Sequence, residues 1–224
     1  GDFGKSTGET FFGLIKQLNE VEGIERYRIS SIEPNLLTEE MIDWITSGTK
    51  FLPHYHIPLQ SGCDNILREM GRRYDTAAFA RKIQYIREKT EVPGGPKVFF
   101  GIDVIVGFPG ETDEDVDDTI DVIKKVQYEN AFTFIYSKRT GTPAAAMENQ
   151  VPEEEAQKQF NRVLEAVQQT AAAQAGTLTG QVHTVLVEEM NEHDPSLVTG
   201  RLSNNALVHF KGDTSLIGQI VTVK

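Results

Sequence analysis

The sequence predicts an α/β fold, a partial barrel of about four βα units followed by a small all-β barrel. Three observations carry that prediction. Apolar strands and amphipathic helices alternate with a period of about thirty residues through the first two thirds of the chain, the pattern of βα units around a parallel sheet or barrel. Val98 to Val106 is nearly all apolar and β-branched, broken only by Asp103, and ends in the tight turn Gly107-Phe108-Pro109-Gly110. Beyond Gly176 the pattern changes to short β-rich runs separated by Gly, Asn, Asp and Pro.

Taken in order, Gly1 to Thr7 contains Gly-Lys-Ser but lacks the spacing of a phosphate loop, and reads as a loop leading to a helix. Phe11, Leu14, Ile15 and Leu18 mark one buried face of a helix over 10–21. Tyr27 to Ile32 is a short strand closed by Glu33-Pro34, and Thr38 caps a helix that buries Met41, Ile42 and Ile45. Phe51 to Leu59 is the second strand, ending in Gln60-Ser61-Gly62. Helical patterns follow at 66–70 and 76–89, and Val92 to Lys97 is a turn with two prolines. The Val98 strand is expected to be covered on both faces. After its turn, a helix over 113–126 opens on acids that suit a helix amino terminus, and a fourth strand runs from Ala131 to Tyr136. A long helix from Pro152 to Ala175 buries Phe160, Val163, Leu164 and Val167. Four runs, 182–187, 197–202, 206–210 and 217–223, then form the terminal barrel. The expected organisation is residues 1–152 for the partial barrel, 153–176 for a connecting helix and 177–224 for the terminal β-domain, cut short at Lys224.

Composition narrows the function. A net charge of -11 and a pI near 4.9 provide no global field for nucleic acid, so any RNA partner is met by a local patch. There is no run of about 18 apolar residues and no charged-then-apolar leader, so the expectation is a soluble, cytoplasmic protein with no membrane partner. Cys63 is the only cysteine, which excludes a disulfide framework and an all-cysteine metal or cluster site. A sequence that opens at Gly1 and stops on a β-rich run reads as a piece of something longer.

The chemistry-bearing residues gather at the carboxyl ends of the strands, where α/β folds bind ligands. Asp103 is an acid in a buried strand, costly unless bonded. Gln60 offers donor and acceptor groups, so with Asp103 it could hold the paired hydroxyls of a ribose. Ser61 beside it could equally cap the helix that follows. Arg68, Arg72, Arg73, Arg81, Lys82, Arg87 and Lys89 form the main basic concentration. An Arg aimed at a carboxylate or phosphate is the sharper reading of it, a solvated helix face the plainer one. Tyr136, Lys138 and Arg139 leave the fourth strand in a loop that could stack on and neutralise RNA. Arg201, Asn204 and Lys211 are RNA candidates in the terminal domain, although residues 177–224 hold three basic and five acidic side chains. His54 and His56 point to one face of their strand and, with Asp103, could ligate a divalent metal in a barrel hydrolase.

His54-Tyr-His-Ile-Pro-Leu-Gln-Ser-Gly62, Met70-Gly-Arg-Arg-Tyr74, Asp103 to Thr112, Tyr136 to Ala145 and Val151-Pro-Glu-Glu154 together resemble the radical S-adenosylmethionine methylthiotransferases. The match keeps the order of motifs over nearly the whole chain. Thr199-Gly-Arg201, Asn204 and Val208-His-Phe210 are similar to the small RNA-binding TRAM domain of that family. The resemblance implies a partial radical S-adenosylmethionine barrel, and a chemistry in which a cluster-bound S-adenosylmethionine is cleaved to a 5′-deoxyadenosyl radical. A methylthio group then enters a modified adenosine next to the tRNA anticodon, the methyl coming from a second S-adenosylmethionine. By motif position, Gln60 and Asp103 would bind the ribose with Ser61 alongside, and Arg72 the methionine carboxylate. Gly107, Phe108 and Pro109 would border the adenine. The family's two 4Fe-4S clusters need cysteines absent from this sequence, and Cys63 stands where the family more often has Ser. The implied reading is therefore the carboxyl-terminal part of a monomeric tRNA methylthiotransferase, with no catalytic or metal-ligating residue of its own and inactive alone. Phe132 to Glu154 and the terminal domain look like the isopentenyladenosine enzymes, slightly favoured. Arg28 to Pro34 and Pro53 to Pro58 look more like the threonylcarbamoyladenosine ones. The competing classes are a stand-alone RNA-binding module and the metal-dependent hydrolase.

Overall fold

The computed structural model describes residues 3–91 and 98–224; the expected Val92 to Lys97 turn lies outside them. Helices α1 (Phe11–Asn19) and α2 (Glu39–Ile45) precede strand β1 (His54–His56), followed by α3 (Asp64–Glu69), α4 (Thr76–Thr90), β2 (Phe99–Val106), α5 (Asp113–Val126), β3 (Asn130–Ile135) and α6 (Glu153–Gly176). The strands pair in parallel in the order β1-β2-β3, with His54 opposite Phe99 and Asp103 opposite Phe132. Capping chemistry sets the helix starts. Thr10, Thr38 and Asp75 accept from backbone N–H groups at the openings of α1, α2 and α4, and Thr112 with Asp115 forms a full capping box on α5.

Two of the four expected strands are much less regular than the sequence pattern implied. Tyr27 to Ile32 runs alongside β1 but meets it only at its ends: Tyr27 bridges Phe51, and Ile32 N–H donates to His56 O at 3.0 Å. Pro53 has no N–H to give the ladder, and the His54 N–H turns back onto Leu52 O at 2.8 Å, so pairing lapses between those points. Pro58 has the same effect further on. Only three residues of the expected 51–59 strand are regular, and Gln60 returns as an isolated bridge to Val104 with φ 69°.

The expectation that β2 is covered on both faces also needs correcting. Phe100, Ile102, Val104 and Val106 are fully buried against a core shared with α2, α4, α5 and α6. Phe99, Gly101, Asp103 and Ile105 lie on the opposite face and line cavities. Phe132 and Phe134 of β3 continue that face at 48% and 51% exposure. The acid therefore stands on the cavity-lining side of the sheet.

The terminal strands β4 (His183–Met190), β5 (Leu197–Leu202), β6 (Leu207–Lys211) and β7 (Ile220–Val223) form one antiparallel sheet in the order β6-β5-β4-β7, with a register shift between Val187 and Glu189. This is the small all-β unit expected after Gly176. It sits against the amino-terminal end of the parallel sheet: Arg26 donates to Thr184 Oγ1 at 3.3 Å and Arg28 donates to Asn205 Oδ1.

Candidate functional site

A cavity of about 710 Å³ opens at the carboxyl ends of β1, β2 and β3. Gln60, Arg72, Asp103, Phe108, Tyr136 and Arg139 all line it, so residues from four separate motifs converge there. Each is placed by local chemistry. Gln60 is held by the backbone: its N–H donates to Asp103 O at 2.8 Å, and its C=O accepts from Ile105 N–H at 2.9 Å. The turn after it packs on α5, where Thr119 Oγ1 accepts from Gly62 N–H at 2.7 Å and any Cβ on Gly62 would stand 2.4 Å from the Thr119 Cα. The α3 helix, closed by Met70 and Gly71, then swings Arg72 back toward the sheet.

Among the described residues, Gln60, Arg72 and Asp103 at this end retain hydrogen-bonding capacity, as does the Tyr136 hydroxyl. Gln60 is 7% exposed and its Oε1 has no partner. Arg72 donates to Glu33 Oε1 through Nη1 at 3.1 Å, while its buried Nε is unpartnered. Asp103 places one oxygen 2.9 Å from His56 Nε2, leaving the other carboxylate oxygen available. A buried unmet donor and a buried unmet acceptor beside one cleft each carry a desolvation cost. One wall is apolar. Phe108, Cys63 and Ile66 form a buried cluster joined by Met70, Tyr136, Ala144 and Met147, with Phe108 and Tyr136 edge to face at 5.4 Å.

Other predicted residues lie behind this surface. Ser61 is fully buried and its Oγ accepts from Cys63 N–H at 3.2 Å, while Cys63 occupies the α3 cap position without a capping bond from its thiol. Gly107 (φ 71°) and Pro109 build the turn without lining the cavity. The turn is closed by Glu111, whose Oε2 accepts from Gly107 N–H at 2.5 Å and Phe108 N–H at 3.4 Å. Burial pushes the Glu111 carboxyl up to about 7 despite these donors.

The RNA candidates fall into two groups. Tyr136 and Arg139 line the carboxyl-end cavity, with exposed Lys138 between them. Arg201 and Asn204 instead line a second cavity of about 460 Å³ at the amino end, alongside Arg28, His54 and His56. There Arg201 donates to Glu188 Oε2 at 3.1 Å, and Asn204 is buried with its Oδ1 accepting from Ala206 N–H. Lys211 is exposed on β6.

The proposed histidine metal site does not assemble among the described residues. His54 stacks on Phe99, His56 is spent on Asp103, and His54, His56 and Asp103 do not bring ligand atoms together as a group. The group of potential ligands that does come together is Cys63, Asp115 and Asp118. Burial and the Asp115 carboxylate raise the Cys63 pKa, and its S–H donates to Asp115 Oδ1 at 2.9 Å, which disfavours the thiolate a metal needs. A single protonated cysteine is no donor set for a 4Fe-4S cluster, and the residues present do not fit one.

Ser31 and Glu33 lie in the Arg28 to Pro34 motif but are not among the candidate site residues, and they reach His56 and Arg72 from the Tyr27–Ile32 segment and the residue after it. Their signal was the position of Ser31-Ile32-Glu33-Pro34 at the carboxyl end of an expected strand, the same end as Gln60.

Comparison with known proteins agrees with this architecture. Residues 6–123 match the Radical SAM superfamily, and residues 176–224 match the TRAM domain. The chain is 44% identical over 224 residues to the tRNA-2-methylthio-N(6)-dimethylallyladenosine synthase of Lachnoclostridium phytofermentans, covering 99% of this chain and 48% of that protein. Proteins of the same name from Clostridium beijerinckii and Acetivibrio thermocellus are 42% and 40% identical over the same span, covering 48% and 46% of their lengths. The chain thus spans about half the length of these relatives. Among solved structures, coproporphyrinogen III oxidase from Escherichia coli superposes with a TM-score of 0.53 over 82% of this chain and 50% of that one, at 14% identity, a likeness of fold alone. With the family match covering over half of its residues and the parallel sheet, turn and cleft in place, the chain belongs to the Radical SAM superfamily.

Proposed function

We propose that this chain is the carboxyl-terminal half of a tRNA methylthiotransferase that acts on an isopentenyl-modified adenosine beside the anticodon. The observation that carries the reading is the convergence of Gln60, Arg72 and Asp103 on one cleft, with Gln60 Oε1 and Arg72 Nε unmet. The tRNA-2-methylthio-N(6)-dimethylallyladenosine synthase activity named for relatives over 40% identical along the chain supports the substrate.

The cleft fits the adenosyl half of S-adenosylmethionine, which would supply hydrogen abstraction only when reduced by a cluster held outside this chain's residues. Asp103 accepts from the ribose hydroxyls through its free oxygen, and Gln60 completes that contact with its side-chain amide. Arg72 donates to the methionine carboxylate from a guanidinium nitrogen that Glu33 does not take, while Glu33 holds Nη1. Phe108 covers the base, and the apolar wall from Ile66 to Met147 keeps water from it. No step runs through Cys63, which stays protonated against Asp115. Tyr136 and Lys138 lie at the rim, where an RNA base and its phosphate approach. The TRAM match supports an RNA role for the terminal sheet.

The test is Asp103→Ala in the full-length enzyme. Loss of about 2 kcal/mol of S-adenosylmethionine affinity is expected for a charge-assisted contact, read by equilibrium dialysis. Unchanged affinity returns Asp103 to a structural role. Nucleoside mass spectrometry of tRNA from complemented cells separates the isopentenyl from the threonylcarbamoyl substrate. This chain alone, reconstituted with iron and sulfide, should cleave no S-adenosylmethionine.

A further inference from the structure

We infer that His56 is a positioning residue for ligand recognition in the carboxyl-end cleft, fixing the Asp103 carboxylate from below through a Ser31–His56–Asp103 relay of hydrogen bonds. The inference rests on the reading of Asp103 as a ligand-binding carboxylate.

The geometry is a continuous line of polar contacts across the sheet. Ser31 Oγ lies 3.1 Å from His56 Nδ1, and His56 Nε2 lies 2.9 Å from Asp103 Oδ1. His56 lines the amino-end cavity while Asp103 lines the carboxyl-end one, so the imidazole forms part of the partition between the two. The ring has little freedom. The His56 carbonyl accepts from Ile32 N–H at 3.0 Å, and the ring tilts against Phe132 at 5.7 Å. Both side chains of the pair are about one-fifth exposed, so their contact is partly shielded from water.

Hydrogen-bond chemistry gives the relay a direction. An ionised carboxylate only accepts, so His56 Nε2 carries the proton and donates it to Asp103. In the neutral ring Nδ1 is then an acceptor, and the Ser31 hydroxyl donates to it. Oδ1 is committed downward, and the second oxygen is left to the cleft. The backbone carbonyl of Asp103 also accepts from Gln60 N–H, so the same residue is tied at backbone and side chain, and a ligand meets a carboxylate whose rotamer is already chosen. Preorganisation of this kind improves affinity by removing the ordering cost from the binding step.

Two measurements test it. Long-range ¹H–¹⁵N spectra of this chain with labelled histidine should show the His56 proton on Nε2, in a hydrogen-bonded signal that Asp103→Asn alters. A proton on Nδ1 alone overturns the inference. In the full-length enzyme, S-adenosylmethionine affinity should fall about tenfold in His56→Leu. It should recover to within about threefold of the parent in His56→Gln, whose amide reaches the place of Nε2 and can still donate. His56→Leu should add nothing in the Asp103→Ala background, since its effect is exerted through that carboxylate. Parent-like affinity in His56→Leu, with Asp103→Ala weakened, removes the role of His56 alone. Unchanged affinity in Asp103→Ala removes the ligand reading and this inference with it. Equal losses in His56→Leu and His56→Gln leave only packing and also overturn it.

Discussion

The two ends of the parallel sheet use similar residue types for opposite purposes. At the amino end, Arg26, Arg28 and Arg201 are matched by Thr184, Asn205 and Glu188, all three from the terminal domain. At the carboxyl end, Arg72 and Gln60 line a larger cavity, and each retains a buried polar atom with no partner among the described residues. The amino end has unmatched groups too: His54 Nδ1, for one, has no partner among the described residues, but burial keeps the ring neutral and so lowers the cost of leaving it unpaired. Arginine on a sheet end thus says little by itself. What distinguishes a seam from a site is whether the protein supplies the partner.

The largest expected effect comes from disturbing the turn that shapes the carboxyl end. Gly107 has φ 71°, and a Cβ there would stand 2.7 Å from the Ala156 Cβ on α6. Gly107→Ala therefore combines left-handed strain with overpacking, and should cost about 3 kcal/mol in denaturant unfolding. The amino-end counterpart is Gly101, where the nearest atoms to an added Cβ are those of the His56 ring at 3.6 Å, an ordinary contact. Gly101→Ala should change stability by about 0.5 kcal/mol or less. Equal costs at the two glycines would erase the contrast in packing between the ends.

Next in size is a pH effect confined to the same turn. Glu111 has its folded pKa raised from 4.5 to about 7, principally by burial. A raised carboxyl binds its proton more tightly in the native state, so the stability it confers is complete below about pH 4.5 and is lost as pH rises through 7. Between pH 5 and pH 8 the parent should lose about 2 kcal/mol that Glu111→Gln does not lose, measured as the difference in urea midpoints. A parallel pH dependence in the two proteins would mean that Glu111 is solvated as readily as a surface acid.

Much of this was legible in the sequence, and the exceptions have physical causes. The β2 strand, its turn and α5 could be read closely because apolar run, glycine turn and acidic cap agree, and the observed helix is Asp113–Val126 as expected. Gln60, Arg72, Asp103 and Phe108 were grouped by the family resemblance of their motifs, and the fold places all four around one cavity. The covering of β2 was misread because an apolar run cannot tell a strand packed on two faces from one facing a cleft through Gly101 and Asp103. The broken second strand had its cause in plain view at Pro53 and Pro58. Glu33 and Ser31 were missed because their partners Arg72 and His56 lie 39 and 25 residues away, beyond any local pattern. Arg201 and Asn204 were candidate RNA contacts, and nothing in the sequence signalled that Arg201 would pair with Glu188 or that Asn204 would be buried in the turn before β6.

The smallest effect should come from the seam itself. Arg26 and Arg28 leave the irregular first segment and reach the terminal sheet through single hydrogen bonds to neutral groups, at Thr184 on β4 and Asn205 in the turn before β6. Bonds of this kind are worth about 1 kcal/mol each, less where water can replace the partner. Arg26→Ala with Arg28→Ala should therefore leave global stability nearly unchanged while loosening the terminal domain. Amide exchange in β4 and β6 should rise about threefold to tenfold, with no change in β2. S-adenosylmethionine affinity should stay at the parent value, because neither arginine lines the carboxyl-end cavity. A loss of affinity in this pair would show that the seam communicates with the cleft, and the route open to it is His56, which lines the amino-end cavity and bonds Asp103 of the cleft.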